Sequence, residues 1–176
     1  WAPIKLGISF PPYNTEWKVA FTIEKLKKLR IDHIRIAYNF KYYEGDPEFK
    51  KIKQRLERFR QAGIKVLLTI ESDASSPYCV SESEVEYACL FNEKGKKYFA
   101  TGVSRLTEEI GDYVDALQFG NEWDNKEYFF PGTPEQFLEL HKIFVSSVKS
   151  VRPNLPIVLG GITGGVVTAK RLYTME

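Results

Sequence analysis

The chain has no apolar run near the ~20 residues that a membrane span needs, so no membrane partner is expected. It also lacks a basic run interleaved with aromatic residues. Its 25 Lys and Arg stand against 23 Asp and Glu, a formal net charge of +2. The densest basic cluster, in residues 49–60, has the spacing of a solvated helix face, so nucleic acid is not expected as the main partner. Histidine is scarce. His33 and His141 are the only two, and neither sits at ligand spacing from the two cysteines, so no metal and no cofactor are expected. The chain begins with Trp1 and not Met, without a basic stub and apolar core. A removed secretory signal is one explanation and the one favoured here, the compartment being otherwise unknown.

With 176 residues, 43% of them apolar and 14% aromatic, there is enough material for a substantial core. The reading is one globular domain, or part of one, over residues 1–176. Cys79 and Cys89 are the only pair available for a disulfide. A bridge would contribute about 2–3 kcal/mol by loop entropy, and two buried free thiols are the other reading.

Apolar runs alternate with amphipathic stripes along the chain. Ile4 to Phe10 reads as a first strand, ended by Pro11-Pro12. Asn14 or Thr15 can cap a helix with the stripe Val19, Ile23, Leu26 and Leu29. Ile31 to Tyr38 is a second strand with Arg35 inside it. Asp46-Pro47 opens a second helix on Phe49, Ile52, Leu56 and Phe59, and Gly63 stops it. Ile64 to Ile70 is a third strand with Glu71 just past it. Residues 72–100 read as a long loop with some local structure, before a stripe of Val103, Leu106, Ile110 and Tyr113. Val114 to Asp124 holds the fourth strand, which ends in Gly120, Asn121, Glu122 and Trp123. Thr133 and Gln136 form a capping box with Pro134 inside it, ahead of Phe137, Leu140, Phe144, Val148 and Val151. Pro156 to Thr163 is the fifth strand.

Five strands alternating with helices predict an α/β fold on a parallel sheet, either doubly wound or a (β/α)8 barrel. A dinucleotide-binding sheet follows its first strand with a Gly-rich turn, whereas this strand runs into SFPPYN. In the barrel, Asn39, Glu71, Asn121, Glu122 and Thr163 all fall at the carboxyl ends of strands, where such barrels keep their active sites. A barrel takes ~250 residues, so the expectation is an incomplete one of about five β/α units.

HIRIAY with Arg35 on strand two, FGNEWD with Asn121-Glu122 after strand four and IVLGGIT on strand five together resemble the amino-terminal part of a clan-A glycoside hydrolase. These are retaining (β/α)8 enzymes that include cellulases, mannanases and β-xylosidases, and the resemblance implies a carbohydrate substrate. It makes Glu122 the acid/base that protonates the leaving oxygen and then activates water. It makes Asn121 the amide that bonds the sugar 2-hydroxyl, and Arg35 the group that keeps the nucleophile ionised. The nucleophile, a Glu expected after strand seven, has no counterpart here. The 176 residues alone are therefore expected to be an inactive half-barrel that self-associates through open strand edges or continues in a longer chain.

Each assignment has a plainer rival. Glu122 can be an exposed loop acid, and Arg35 can pair with a core acid. Glu71 and Asn39 are candidates for substrate contact. Trp123 is the aromatic expected to stack on a sugar ring, with Tyr38, Tyr78 and Tyr128 not separated from one another. Gly160-Gly161 and Gly164-Gly165 suggest a phosphate- or nucleotide-binding α/β protein instead, although no Lys-Ser/Thr follows them. A non-catalytic carbohydrate-binding or scaffold protein is the third reading.

Overall fold

The computed structural model describes residues 7–10, 16–40, 47–72, 79, 89–125 and 130–163. Five strands and four helices alternate: β1 (Gly7–Phe10), α1 (Glu16–Lys28), β2 (His33–Phe40), α2 (Pro47–Gln61), β3 (Lys65–Ser72), α3 (Glu93–Ile110), β4 (Ala116–Phe119), α4 (Pro134–Val151) and β5 (Ile157–Leu159). The strands form one sheet in the order β1-β2-β3-β4-β5, and every neighbouring pair is parallel. That order decides between the two architectures. A doubly wound sheet reverses its strand order at a switch point, whereas a barrel adds each strand beside the last. The fold is of the (β/α)8-barrel type, incomplete over the described residues.

Side-chain alternation divides the sheet into two faces. Ile34, Ile36, Tyr38 and Phe40 of β2, Val66, Leu68 and Ile70 of β3, and Leu117 and Phe119 of β4 are buried. Phe40 meets Phe99 of α3 edge-on at 5.3 Å, and Phe119 stacks on Phe137 and Phe144 of α4 at 5.5 and 5.4 Å, so this face carries the helices. The opposite, inner face bears Ser9, Arg35, Ala37, Asn39, Leu67, Thr69, Glu71 and Gln118. Below Arg35 it is mostly apolar around a concavity of about 400 Å³ lined by Leu67, Ala116 and Val158. The polar groups gather above it, toward the carboxyl ends of the strands.

Helix ends follow local chemistry. Thr133 accepts from the Gln136 backbone and the Gln136 side chain accepts from the Thr133 backbone, so both halves of the expected capping box form. Gly63, at φ 75°, ends α2.

Several expectations are corrected. β2 and β3 each run two residues further than predicted, so Asn39 and Glu71 lie inside strands, paired with each other in register. Helix α3 begins at Glu93, well inside the predicted loop, because Asn92 caps it by accepting from the Gly95 N–H at 2.8 Å. Leu29 is not part of the α1 stripe, since it lies past the helix and is 64% exposed. The β1 residues before Gly7, the proposed caps Asn14 and Thr15, and Asp46 lie outside the described residues. Of the two readings left open for the cysteines, the disulfide is the one found, with the Cα atoms of Cys79 and Cys89 5.3 Å apart.

Candidate active site

The site starts from the way β4 ends. The Gly120 N–H donates to the Ile70 carbonyl at 2.9 Å, still in the ladder. Gly120 then turns at φ 75° above the Phe137 ring, where a Cβ would lie 2.9 Å from Cε2. A side chain at 120 would meet both strain and a clash. The turn carries Asn121 and Glu122 out over the carboxyl edge of the sheet. Glu122 itself has φ 42°, a left-handed conformation uncommon for a residue with a Cβ. Its carbonyl accepts from the Asn125 N–H at 2.7 Å, which closes the turn. The Glu122 carboxylate is half-buried and makes no hydrogen bond or ion pair to a described residue.

Arg35 reaches this turn from β2. Its Nη2 donates to Asn121 Oδ1 at 2.8 Å, its Nε to Gln118 Oε1 at 2.9 Å, and its Nη1 makes a long contact of 3.4 Å with Ser9 Oγ. These partners are neutral oxygens, so the rival reading of a core acid in direct contact does not describe Arg35 among these residues. Because guanidinium only donates, the Asn121 oxygen must face Arg35, and the Asn121 NH2 is left to donate elsewhere.

Glu71 shares the inner face, opposite Asn39. Its side chain makes no hydrogen bond to a described residue. Burial pushes its pKa above the ordinary carboxylate value, and the nearby Arg35 charge partly offsets that rise. Thus Arg35 and Asn121 are in direct contact, Glu122 follows Asn121 in the same turn, and Glu71 and Asn39 line the adjacent strands.

Trp123 does not fit its expected role. Its indole is 2% exposed and lies flat on Phe137 at 4.7 Å, so it packs the loop onto α4 and presents no face for a sugar. Tyr38 is buried on the helix face against Phe49. Tyr78 and Tyr128 lie outside the described residues. Gly160 allows a close strand approach, since a Cβ there would come within 2.6 Å of the Phe119 carbonyl oxygen.

Sequence reasoning missed Gln118 and Thr69. Both are buried on the inner face, where Gln118 Oε1 accepts from Thr69 Oγ1 at 2.8 Å as well as from Arg35. Asp124 is also occupied, accepting from the Thr163 N–H and hydroxyl, which ties the β4 turn to the segment after β5. Among the described residues no trio of His, Cys, Asp or Glu is arranged to hold a metal ion, and no helix is long and apolar enough to cross a membrane.

No family profile and no curated protein matches this sequence. Solved structures do match its fold. The exo-β-1,4-mannosidase Op5Man5 from Opitutaceae bacterium strain TAV5 aligns with a TM-score of 0.70 at 14% identity, over 90% of this chain and 32% of that one. The glycoside hydrolase family 30 subfamily 8 xylanase Xyn30A from Clostridium acetobutylicum aligns with a TM-score of 0.64 at 15% identity, over 94% and 46%. A monomeric β-xylosidase from Caulobacter crescentus CB15 gives 0.59 at 16% identity, over 88% and 36%. The chain spans between 32% and 46% of the length of these three structures. In fold it is similar to the amino-terminal part of barrel-type glycoside hydrolases.

Proposed function

We propose that this chain carries the acid/base half of a retaining glycosidase acting on β-linked oligo- or polysaccharides. The observation that supports this best is the 2.8 Å bond between Arg35 and Asn121. It joins the two positions singled out by the resemblance at the carboxyl edge of a parallel sheet, directly beside Glu122. In the proposed reaction the Glu122 carboxylic acid protonates the glycosidic oxygen as a second carboxylate attacks the anomeric carbon. The Glu122 carboxylate then takes a proton from the water that releases the sugar. Asn121 donates from its free NH2 to the sugar 2-hydroxyl, and Glu71 and Asn39 contact the substrate from strands β3 and β2. Arg35 keeps unused N–H groups for the second carboxylate.

A retaining mechanism needs that carboxylate ~5 Å from the first, and the reading draws it from beyond the described residues. The described residues alone therefore hydrolyse no glycoside on this proposal. The outer strands β1 and β5, which leave Ile8 and Leu159 about two-fifths exposed, meet further strands of a longer chain or a second copy.

The test is leaving-group dependence in the full-length gene product. Glu122→Gln should slow hydrolysis of unactivated disaccharides far more than that of nitrophenyl glycosides, whose leaving group needs little protonation. Equal losses on both would reject Glu122 as the acid/base.

A further inference from the structure

Arg35, which bonds Asn121, is also bonded to a residue with no part in the proposed chemistry. Arg35 is a long side chain on a half-open face, and two bonds to the turn and to Ser9 would not by themselves select one rotamer. Its Nε is held by Gln118, which is 5% exposed. Gln118 Oε1 accepts from Arg35 Nε and from Thr69 Oγ1, so both lone pairs of that oxygen are used. Gln118 Nε2 donates to the Leu159 carbonyl at 3.0 Å. One side chain thereby joins β2, β3, β4 and β5.

The direction of this network has a consequence. Arginine has no acceptor, so Gln118 must present oxygen to it, and the amide nitrogen must point to Leu159. With Nε fixed, the guanidinium plane aims Nη2 at Asn121 Oδ1. Asn121 is then locked with its NH2 outward and can address only an acceptor oxygen.

We propose that Gln118 is a positioning residue, which through Arg35 sets the Asn121 amide to donate to a ligand hydroxyl oxygen. The kinetic consequence rests on the glycosidase reading above, whereas the geometric one does not. Gln118→Leu removes both the acceptor and the donor. Gln118→Glu keeps the acceptor toward Arg35 and Thr69.

The experiment compares these variants in the full-length protein on nitrophenyl β-glycosides and their 2-deoxy counterparts. Gln118→Leu should lower kcat about 100-fold on the 2-hydroxy substrate, the cost of a misplaced contact group, and should lower the 2-deoxy rate by a clearly smaller factor, because Arg35 also serves the second carboxylate. Gln118→Glu should recover part of the loss. An equal loss on both substrates, or none, overturns the proposal. If Gln118→Leu does not fold, Gln118→Met, closer in length and equally without an acceptor amide, carries the same test with the same larger loss on the 2-hydroxy substrate. If the wild type hydrolyses none of these glycosides, the glycosidase reading fails but the positioning claim is still tested. By 15N NMR the Arg35 Nε–H should exchange slowly with water in wild type and quickly in Gln118→Leu or Gln118→Met, and unchanged slow exchange overturns the claim.

Discussion

Arg35 and Asn121 stand 86 positions apart in the chain and 2.8 Å apart in the fold. The contact is charge-assisted. Asn121→Ala should lower kcat/KM by about 1–3 kcal/mol, and Arg35→Lys by at least as much, because an ammonium cannot reach Gln118 and Asn121 in one plane. In a double-mutant cycle of Arg35→Ala and Asn121→Ala the two losses should fail to add, with a coupling of about 0.5–3 kcal/mol. Steady-state kinetics of the four proteins give the answer, and additive losses would mean that the bond has no functional weight.

Left-handed backbone at two residues with side chains gives a matched pair of stability tests. Arg30, at φ 55°, follows α1 as Gly63 follows α2. In each case the last turn is closed by the same two bonds, Arg30 to Lys27 and Ile31 to Leu26 beside Gly63 to Arg60 and Ile64 to Phe59. Arg30→Gly and Glu122→Gly should each stabilise by about 1 kcal/mol, read as a rise in Tm of a few degrees. Only Glu122→Gly should abolish hydrolysis. A fall in Tm for Glu122→Gly would show that the Glu122 side chain is held by contacts worth more than its strain.

Glu71 makes stability depend on pH. Its pKa in the fold lies above the ordinary 4.5, so the folded chain binds its proton more tightly than the unfolded chain does. The associated stability is fully present below that ordinary value and is lost as the pH rises through the folded value. Glu71→Gln keeps the neutral form at all pH. The Tm of wild type minus that of Glu71→Gln should therefore become more negative as the pH increases above about 4.5. A flat difference from pH 4 to 8 would show that Glu71 is well solvated.

The Cys79–Cys89 bridge spans 10 positions. Replacing both by Ala should cost about 2–3 kcal/mol, measured by denaturant unfolding, and reductant should lower wild-type stability by a similar amount. A variant as stable as wild type in both conditions would show that the bridge adds nothing to stability.

Elements whose signals are local were legible in the sequence. The box at Thr133 and Gln136 and the stripe Ile52, Leu56, Phe59 depend on neighbours three or four positions away, and both are found. The start of α3 was not legible, because Lys94, Gly95, Lys96 and Lys97 give no apolar period and only the Asn92 cap marks it. The place of Arg35 inside β2 and of Asn121 and Glu122 just past β4 was legible from the apolar runs around them. Gln118 was not, since an amide inside an apolar strand has meaning only once the partners 83 and 49 positions away are known. Trp123 was misjudged for a similar reason. Its covering residue, Phe137, comes from the next helix, and nothing beside Trp123 in the chain announces it.

The sheet order also sets a timetable. Each strand lies beside the one made just before it, so the sheet can grow in the direction of synthesis. At about 5–20 residues per second, Asn121 leaves the ribosome roughly 4–17 s after Arg35. In the later part of that interval, once Ser72 has been made, β2 and β3 can pair, while the guanidinium waits in water. Gln118 on β4 and Asn121 in the turn after it then arrive almost together, and the arginine is withdrawn from solvent in a single step, when that strand and its turn dock.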